Sequence, residues 1–386
     1  MVQQTSTLYL SREALQNNLK FIRKVVGKRP QISLVVKGNA YGHGIETYIP
    51  LAEELGMRHF SVFSDYEAKQ VQACSTKNSK IMIMGMVDNK NMSWVIRNEI
   101  EFFVSDLDRL QHAIKTARRM KKKAKIHLEV ETGMNRTGLD PKDFEEVVQL
   151  LQKNKSVLDV VGLCTHFAGA ESISNYYRIH RQIKKFKKLE ILFAEHGITP
   201  PVKHAACSAA SVSYPQTRMD LVRIGIIQYG FWPSDETFIS YINDRKNKKN
   251  PLTPILSWES KIMSVKDVPA GEFVGYGDSF LANEPMRIAV VPVGYTNGYS
   301  RILSNDSSIL VHGKRVGVIG AVNMNLLIID VSQIPEVRKG DKVVLVGQQG
   351  EHTISFASFR KQKDALNYEL LARLPENIPR KIIDYV

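Results

Sequence analysis

Eight short runs of β-branched or aromatic residues, separated by amphipathic helix-like stretches, occupy the first 230 residues. They lie at residues 32–36, 59–63, 80–84, 100–104, 125–130, 160–165, 202–205 and 221–224. Strands that alternate with helices form right-handed βαβ units and a parallel sheet, and eight such units can close into a (β/α)8 barrel. No Gly-x-Gly-x-x-Gly sequence follows the first run, which disfavours the alternative of a doubly wound open sheet. We therefore predict a TIM-type barrel.

The pattern changes at residues 235–254, a stretch with Lys, Asn and Pro that we predict to be a linker. Shorter strand-like runs follow without long helices between them, at residues 255–265, 287–293, 308–311, 315–319, 326–331 and 342–346. This pattern predicts a mostly antiparallel β-domain. The fold class is thus α/β, with a barrel at residues 12–240 and a β-domain at residues 241–386. Residues 365–374 fit either a helical turn or an extended segment.

Charge and cysteine content exclude several classes of protein. The 386 residues include 53 Lys+Arg and 39 Asp+Glu, a net charge of +14. The excess lies in local runs with no nucleic-acid-binding module, so we interpret it as solvated surface and expect no nucleic-acid partner. No apolar run reaches the roughly 18 residues of a membrane span, and no signal peptide is evident. Three cysteines without pairing or metal-ligand spacing predict a reducing, cytoplasmic location and no metal site.

The carboxyl ends of the predicted strands are the place to look for chemistry, because barrel active sites lie there. Lys37 directly follows the first run and precedes a glycine-rich turn at residues 38–44. Partial burial would lower the pKa of this amine, as Schiff-base chemistry requires. The alternative is that Lys37 is only a solvated charge at a strand end.

Charged residues also lie at the ends of later strands. Glu129 and Glu131 point to the same side of the fifth strand, and one of them could pair with Arg136. Arg223 lies inside an apolar run, where an unpaired charge is costly. It therefore requires a partner, which is either a structural carboxylate or an inward-facing ligand.

The segments after the last two strands suit an anion. Ser208 follows the seventh run, and Gly225 and Ile226 follow the eighth. Barrels commonly bind phosphate at this position, and a hydroxyl and backbone N–H groups are suitable donors. Together with Lys37 and Arg223 they place an active site at one rim.

At these residues the chain resembles a known family. The segment Lys37-Gly-Asn-Ala-Tyr-Gly-His-Gly44 is similar to the pyridoxal-phosphate lysine motif of the alanine racemases. The resemblance covers nearly the whole chain, with further matches at residues 131–136, 165–167, 204–209, 223–225, 274–277, 292–295 and 367–368. It implies a barrel followed by a β-domain that residues 1–11 join, and a homodimer with shared active sites. The implied activity interconverts L- and D-alanine, which would supply D-alanine for peptidoglycan.

The resemblance also implies a role for each matching residue. Lys37 would bind pyridoxal 5'-phosphate covalently and act as one base, and Tyr276 of the partner subunit would act as the second. The other cofactor-binding residues would be Tyr41, His166, Ser208, Arg223, Gly225, Ile226 and Tyr368. Those at the substrate would be Arg136 and Met324, with Glu129 and Tyr295 in support.

Charge offers a physical explanation for two of the roles that the resemblance implies. A tyrosine with its usual pKa near 10 is a poor base at neutral pH, so we interpret His166 and Arg223 as stabilising the ionised form of Tyr276. A guanidinium stays protonated, so Arg223 would keep the pyridine nitrogen of the cofactor neutral. The cofactor is then a weaker electron sink, which disfavours transamination.

Three positions depart from the pattern of the family. Glu129 stands where many relatives have a carbamylated lysine, and it would supply the negative charge directly. Cys207 replaces a usual Asn, and Asn325 replaces a common Asp after Met324. The missing entrance charge leaves open a racemase of broader specificity. A non-catalytic pyridoxal-phosphate carrier is a second alternative, although such carriers lack the second domain.

Overall fold

The computed structural model describes residues 4–243, 245–356 and 367–384. By their internal contacts the residues divide into two compact units. One, the barrel unit, comprises Leu15–Lys37 and Ile49–Thr253, and the other, the β-unit, comprises Met1–Ala14, Gly38–Tyr48 and Pro254–Val386. The first strand, β1 (Ser6–Ser11), belongs to the β-unit.

Eight parallel strands form the sheet of the barrel unit. They are β2 (Gln31–Val35), β3 (His59–Val62), β4 (Lys80–Ile83), β5 (Glu101–Val104), β6 (Ala124–Glu129), β7 (Leu158–Cys164), β8 (Val202–His204) and β9 (Leu221–Ile224). Their spatial order is β8-β7-β6-β5-β4-β3-β2-β9. The ends of this order are joined because Asp220 N–H donates to Lys203 O and Arg223 N–H donates to Ala206 O, each at 3.0 Å. The predicted eight-stranded barrel is confirmed.

Helices occupy the segments between the strands. They are α1 (Arg12–Val26), α2 (Lys37–Tyr41), α3 (Ile45–Glu54), α4 (Asp65–Cys74), α5 (Met92–Arg97), α6 (Leu107–Met120), α7 (Phe144–Lys153), α8 (Tyr176–Glu195), α9 (Ser208–Ser213) and α10 (Asp235–Ile242). Helix α6 illustrates the local rules. Asp106 caps its first turn by accepting from Arg109 N–H, and its buried residues recur at helical spacing on one face: Leu110, Ala113, Ile114 and Ala117.

The prediction of a linker at residues 235–254 is wrong for the first eight of these residues, which form helix α10. Ser234 Oγ accepts from Thr237 N–H at 3.1 Å, which satisfies one of the donors at the helix start. Asp235 and Glu236 place negative charge in the first turn, where it is favourable. The Lys- and Asn-rich composition of the following residues concealed this capping signal.

The β-unit is mostly antiparallel, as predicted. Its later strands are β10 (Leu256–Lys261), β11 (Ser264–Val268), β12 (Met286–Val291), β13 (Ser308–Val311), β14 (Lys314–Ile319), β15 (Leu327–Asp330), β16 (Lys342–Gln349), β17 (His352–Ile354) and β18 (Arg380–Ile383). The predicted run at 255–265 is thus two strands. Strand β1 pairs antiparallel with β10 and parallel with β18, so this N-terminal strand lies in the sheet of the β-unit.

The undecided tail contains a helix, α11 (Asn367–Ala372), while residues 365 and 366 lie outside the described residues. Among the described residues, none of the helices has the length and apolar character needed to cross a membrane.

Candidate active site

The turn that follows Lys37 has an unusual backbone. Gly38, Asn39, Ala40 and Tyr41 all have left-handed φ angles, of 62°, 53°, 53° and 52°. For residues other than glycine this conformation costs about 1–2 kcal/mol each. Such strained segments cluster at functional sites, and this one begins directly after the candidate lysine.

The ammonium group of Lys37 is destabilised by its surroundings. Burial lowers the pKa of Lys37 most, Arg136 and Arg223 lower it further, and Glu67 partly opposes them. An amine with a lowered pKa is more readily deprotonated, so it can act as a nucleophile or a base. Lys37 is exposed to solvent, and the lowered pKa of its amine agrees with the prediction of a partly desolvated lysine.

Two expected cofactor residues meet in the β-unit. The rings of Tyr41 and Tyr368 lie 5.9 Å apart between centroids. Gly42 holds the turn against helix α11, because a Cβ at this position would lie 1.9 Å from Leu371 O. Arg380 Nη2 donates to Gly42 O at 2.9 Å. The turn and the helix that carry the two tyrosines are therefore tied together.

Replacing Gly42 with alanine should destabilise the protein more than replacing Gly38. Both glycines have positive φ, 78° and 62°, so each alanine should cost about 1–2 kcal/mol of backbone strain. Only Gly42→Ala also forces a Cβ into the backbone of Leu371, which should add roughly 1–3 kcal/mol. Urea denaturation of both variants measures the difference. Equal losses of stability would contradict the close packing at Gly42.

Arg223 is buried and held by carbonyl oxygens and histidines. Its Nη2 donates to Thr165 O at 2.8 Å and to Ala205 O at 3.2 Å, and its Nη1 bonds Nδ1 of His204. No carboxylate among the described residues contacts it directly. The alternative of a structural carboxylate in direct contact with Arg223 is therefore wrong, because both terminal nitrogens of the guanidinium bond neutral carbonyl and imidazole acceptors at these strand ends.

His166 lies beside Arg223, as expected. Its Nδ1 is 3.4 Å from Arg223 Nη2. Burial lowers the pKa of His166 to about 3, and the charges of Arg223, Arg136 and Lys37 act in the same direction. At neutral pH the imidazole is therefore uncharged and has one donor and one acceptor nitrogen.

Two of the residues predicted to bind phosphate, Ser208 and Gly225, contact each other in the barrel unit. Gly225 N–H donates to Ser208 Oγ at 2.8 Å, and both groups are buried. Since this oxygen accepts from Gly225, its own O–H can donate to another group. Burial raises the pKa of the neighbouring Cys207, so this residue is a neutral thiol where the family pattern has an amide.

Within the part of the chain that the structure describes, neither Glu129 nor Glu131 forms the expected ion pair with Arg136. Glu131 instead accepts backbone N–H groups of the following loop, from Gly133, from Met134 at 2.9 Å and from Asn135 at 2.9 Å. Glu129 is buried, and burial raises its pKa while the hydroxyl of Thr137 and the charges of Arg223 and Arg136 lower it. Glu129 therefore acts on Arg136 through its charge and not through a contact.

Three expected site residues of the β-unit are exposed. Tyr276, Tyr295 and Met324 are 75%, 41% and 55% accessible. The loops of Tyr295 and Met324 are joined, since Tyr295 N–H donates to Asn323 O at 3.0 Å and Asn325 Nδ2 donates to Thr296 Oγ1 at 2.9 Å. Asn325 thus contributes an amide to this junction where the family pattern has a carboxylate.

Sequence reasoning did not assign a function to Glu101 or His127. Both are buried polar residues on the strands of the barrel. A polar residue within an apolar strand run was the only signal that could have pointed to them. His43 is a buried histidine of the turn that follows Lys37. Its Nδ1 bonds Ala40 O at 2.9 Å and Tyr41 O at 3.0 Å, which indicates a structural role.

Comparison with known proteins gives matches over both units. A family model described as alanine racemase, N-terminal domain, matches residues 10–233. A second one, described as alanine racemase, C-terminal domain, matches residues 255–382. Between them these models cover most of the chain.

Individual proteins match at full length. An alanine racemase of Leptospira interrogans is 34% identical over 385 residues, which are 98% of this chain and 96% of the relative. An alanine racemase of Methanococcus maripaludis is 34% identical over 368 residues, covering 95% of each chain. Among solved structures, an alanine racemase of Clostridium difficile 630 superimposes with a TM-score of 0.89 at 27% identity, covering 100% of this chain and 97% of the other.

Proposed function

Because the chain belongs to the alanine racemase family, we propose that it interconverts L- and D-alanine with pyridoxal 5'-phosphate as its cofactor. The observation that carries this proposal is Lys37, an amine of lowered pKa near two arginines and directly before a strained turn. An isomerase of this kind must remove the Cα proton of an amino acid and return a proton on the opposite face.

The side chains suit an anionic aldehyde cofactor. Lys37 would hold this cofactor through its amine, whose lowered pKa favours the uncharged, nucleophilic form. Ser208, which has a hydroxyl proton to donate, suits the phosphate, and Arg223 suits the ring nitrogen as a permanent donor. The full proposed cofactor set is Lys37, Tyr41, His166, Ser208, Arg223, Gly225, Ile226 and Tyr368.

Two bases would carry the proton transfers. When bound, the cofactor withdraws electrons from the substrate and makes the Cα proton removable. Lys37 takes or returns this proton on one face, and Tyr276 of the partner subunit does so on the other. Arg136 holds the substrate carboxylate by charge, with Met324 and Tyr295 at the entrance and Glu129 in support.

This mechanism implies a homodimer, because each active site needs a tyrosine from the other copy. The proposed domains are residues 12–240 for cofactor binding and residues 241–386, with residues 1–11, for the β-domain. We place the enzyme in the cytoplasm, where its product would serve as D-alanine for peptidoglycan.

Arg223→Glu should increase transamination. A guanidinium donates to the ring nitrogen and cannot give up its proton, whereas a carboxylate would stabilise a protonated nitrogen and strengthen electron withdrawal. The amount of pyruvate formed from alanine, divided by the amount of alanine racemised, measures how the enzyme divides its substrate between transamination and racemisation. An unchanged ratio of pyruvate to racemised alanine would contradict the role of Arg223.

Glu129→Gln should weaken the binding of the substrate carboxylate. The change removes a buried negative charge near Arg136, and we expect KM for alanine to rise up to about tenfold, equivalent to about 1.4 kcal/mol. Glu145→Gln, an exposed site on α7, is the control. Wild-type kinetics for Glu129→Gln would show that Arg136 needs no support from this carboxylate.

Substrate breadth is tested with a panel of amino acids. The purified protein is incubated with the cofactor and L-alanine, or with larger and basic L-amino acids, and the enantiomers are separated by chiral chromatography. We expect alanine to reach equal amounts of both enantiomers, much faster than the others. Comparable rates with basic amino acids would favour the broader racemase, and cofactor binding without any racemisation would favour the carrier.

A further inference from the structure

A continuous hydrogen-bonded chain runs through the interior of the barrel unit and ends at Arg223. Glu101 Oε2 is 3.1 Å from His127 Nε2, and His127 Nδ1 is 2.9 Å from His204 Nε2. His204 Nδ1 in turn bonds Arg223 Nη1. These four residues lie on β5, β6, β8 and β9, and their exposed fractions are 6%, 0%, 0% and 3%. Glu101 and His127 are thus linked to a residue of the proposed site.

The bonding pattern allows only one arrangement of protons between neutral imidazoles. Arg223 can only donate, so His204 Nδ1 must accept. A neutral His204 then carries its proton on Nε2 and donates it to His127 Nδ1. By the same reasoning His127 carries its proton on Nε2 and donates it to Glu101. All three bonds therefore point from Arg223 towards the carboxylate.

The charge states of the four groups agree with this order. Burial is the largest effect on both histidines and lowers the pKa of His127 and of His204, so both are neutral near pH 7. Burial acts to raise the pKa of Glu101, but the hydrogen bonds from His127 and His59 outweigh it and hold that pKa well below its usual range. The chain thus has a cation at one end, an anion at the other and two neutral rings between them.

Glu101 is itself held in place. His59 Nε2 is 3.5 Å from Glu101 Oε2, and His59 Nδ1 bonds Ser33 Oγ at 2.8 Å. Lys80 Nζ lies 4.0 Å from Glu101 Oε1. An isolated buried guanidinium would be costly, and the fixed carboxylate compensates its charge through the two imidazoles while leaving no carboxylate in contact with Arg223.

We propose that Glu101 is a positioning residue for racemisation, which fixes the tautomers of His127 and His204 and thereby the orientation of the Arg223 guanidinium. The part that concerns racemisation rests on the proposed function. The order of protons along the chain does not, and it can be measured without the cofactor.

Nitrogen NMR of the ¹⁵N-histidine-labelled protein, without cofactor, reads the tautomers directly. Signals of His127 and His204 are assigned by substituting each in turn. We expect both rings to be neutral Nε2–H tautomers from pH 6 to pH 9. A protonated ring, or an Nδ1–H tautomer at either position, would overturn the proposal without any variant of Glu101.

Glu101→Gln then tests the effect on the site. The amide keeps a hydrogen-bonding group but loses the charge, so the two histidines should show mixed tautomers. In the cofactor-loaded enzyme the absorption band of the bound cofactor should shift, and kcat should fall on the order of tenfold, the scale typical of outer hydrogen-bond partners, with a smaller change in KM. If a folded Glu101→Gln protein has the same histidine tautomers, cofactor absorption and kinetics as the wild type, the positioning role is overturned.

Glu99→Gln is the matched control. Glu99 precedes the same strand, is exposed, and pairs with Lys125 at 2.9 Å and Lys122 at 3.1 Å. Its removal should leave the tautomers, the spectrum and the kinetics unchanged. If the wild type shows the expected tautomers but no racemisation, the proposed function and the positioning role are both overturned. If it racemises alanine but His127 or His204 has another tautomer, only the positioning role of Glu101 is overturned.

Discussion

Lys37→Ala should reduce alanine racemisation by at least about 10³-fold, because it removes one of the two bases, worth about 10²–10⁴ in rate, and also the covalent attachment of the cofactor. The lowered pKa of Lys37 is the physical basis for this expectation. Chiral chromatography of alanine gives the rate, and the absorption of the dialysed protein gives the bound cofactor.

A lysine elsewhere in the barrel unit provides the control. Lys142 is exposed, and its one ion pair among the described residues is with Asp140, at 3.6 Å, so Lys142→Ala should retain the activity and cofactor content of the wild type. Unfolding curves of both variants show whether either change acts through stability. A Lys37→Ala protein that keeps its bound cofactor and full activity would contradict the whole functional assignment.

Tyr276→Phe should distinguish the two proton transfers of the reaction, one on each face of Cα. The phenyl ring keeps the shape of the side chain but cannot exchange a proton, so the face served by Tyr276 loses its base. For a racemase the two enantiomers are equally stable, so kcat/KM must fall equally in both directions, by about 10²–10⁴. Exchange of the Cα proton in D₂O should differ, since the enantiomer served by Lys37 still exchanges and the other does not.

Tyr177→Phe is a suitable control for this experiment. Tyr177 is 82% exposed, comparable to Tyr276 at 75%, and lies on α8 of the barrel unit. We expect it to leave exchange and racemisation unchanged. Equal loss of exchange from both enantiomers in Tyr276→Phe would contradict the two-base mechanism.

The strand pattern was predictable because it depends on local sequence. Each barrel strand is a β-branched run between turn residues, so the eight runs located the sheet without tertiary information. The start of α10 also had a local signal in Ser234, but the composition of the following residues masked it. The left-handed backbone at residues 39–41 was not predictable, since Ala40 and Tyr41 rarely adopt positive φ, although Asn39 tolerates it.

The candidate site divides in the same way. Lys37 and Arg223 could be singled out because a charge beside or inside an apolar run has few explanations. Their partners could not be singled out, because Arg223 forms hydrogen bonds with residues on or next to other strands that are distant in sequence. Glu131 is a different case. It was a candidate partner for Arg136, but its carboxylate instead accepts three backbone N–H groups of the following loop, which no residue pattern revealed. The partners of Arg223 thus depend on long-range pairing, whereas those of Glu131 depend on the local conformation of the loop, and only the folded structure shows either.

The most direct measurement is the location of the cofactor on the chain. The protein is loaded with pyridoxal 5'-phosphate, treated with borohydride to make the link to the lysine permanent, digested and analysed by mass spectrometry. Our account predicts a cofactor-derived adduct on the peptide that contains Lys37, and none on that peptide in Lys37→Ala. An adduct confined to another lysine, or alanine racemisation by a protein that carries no adduct, would contradict it.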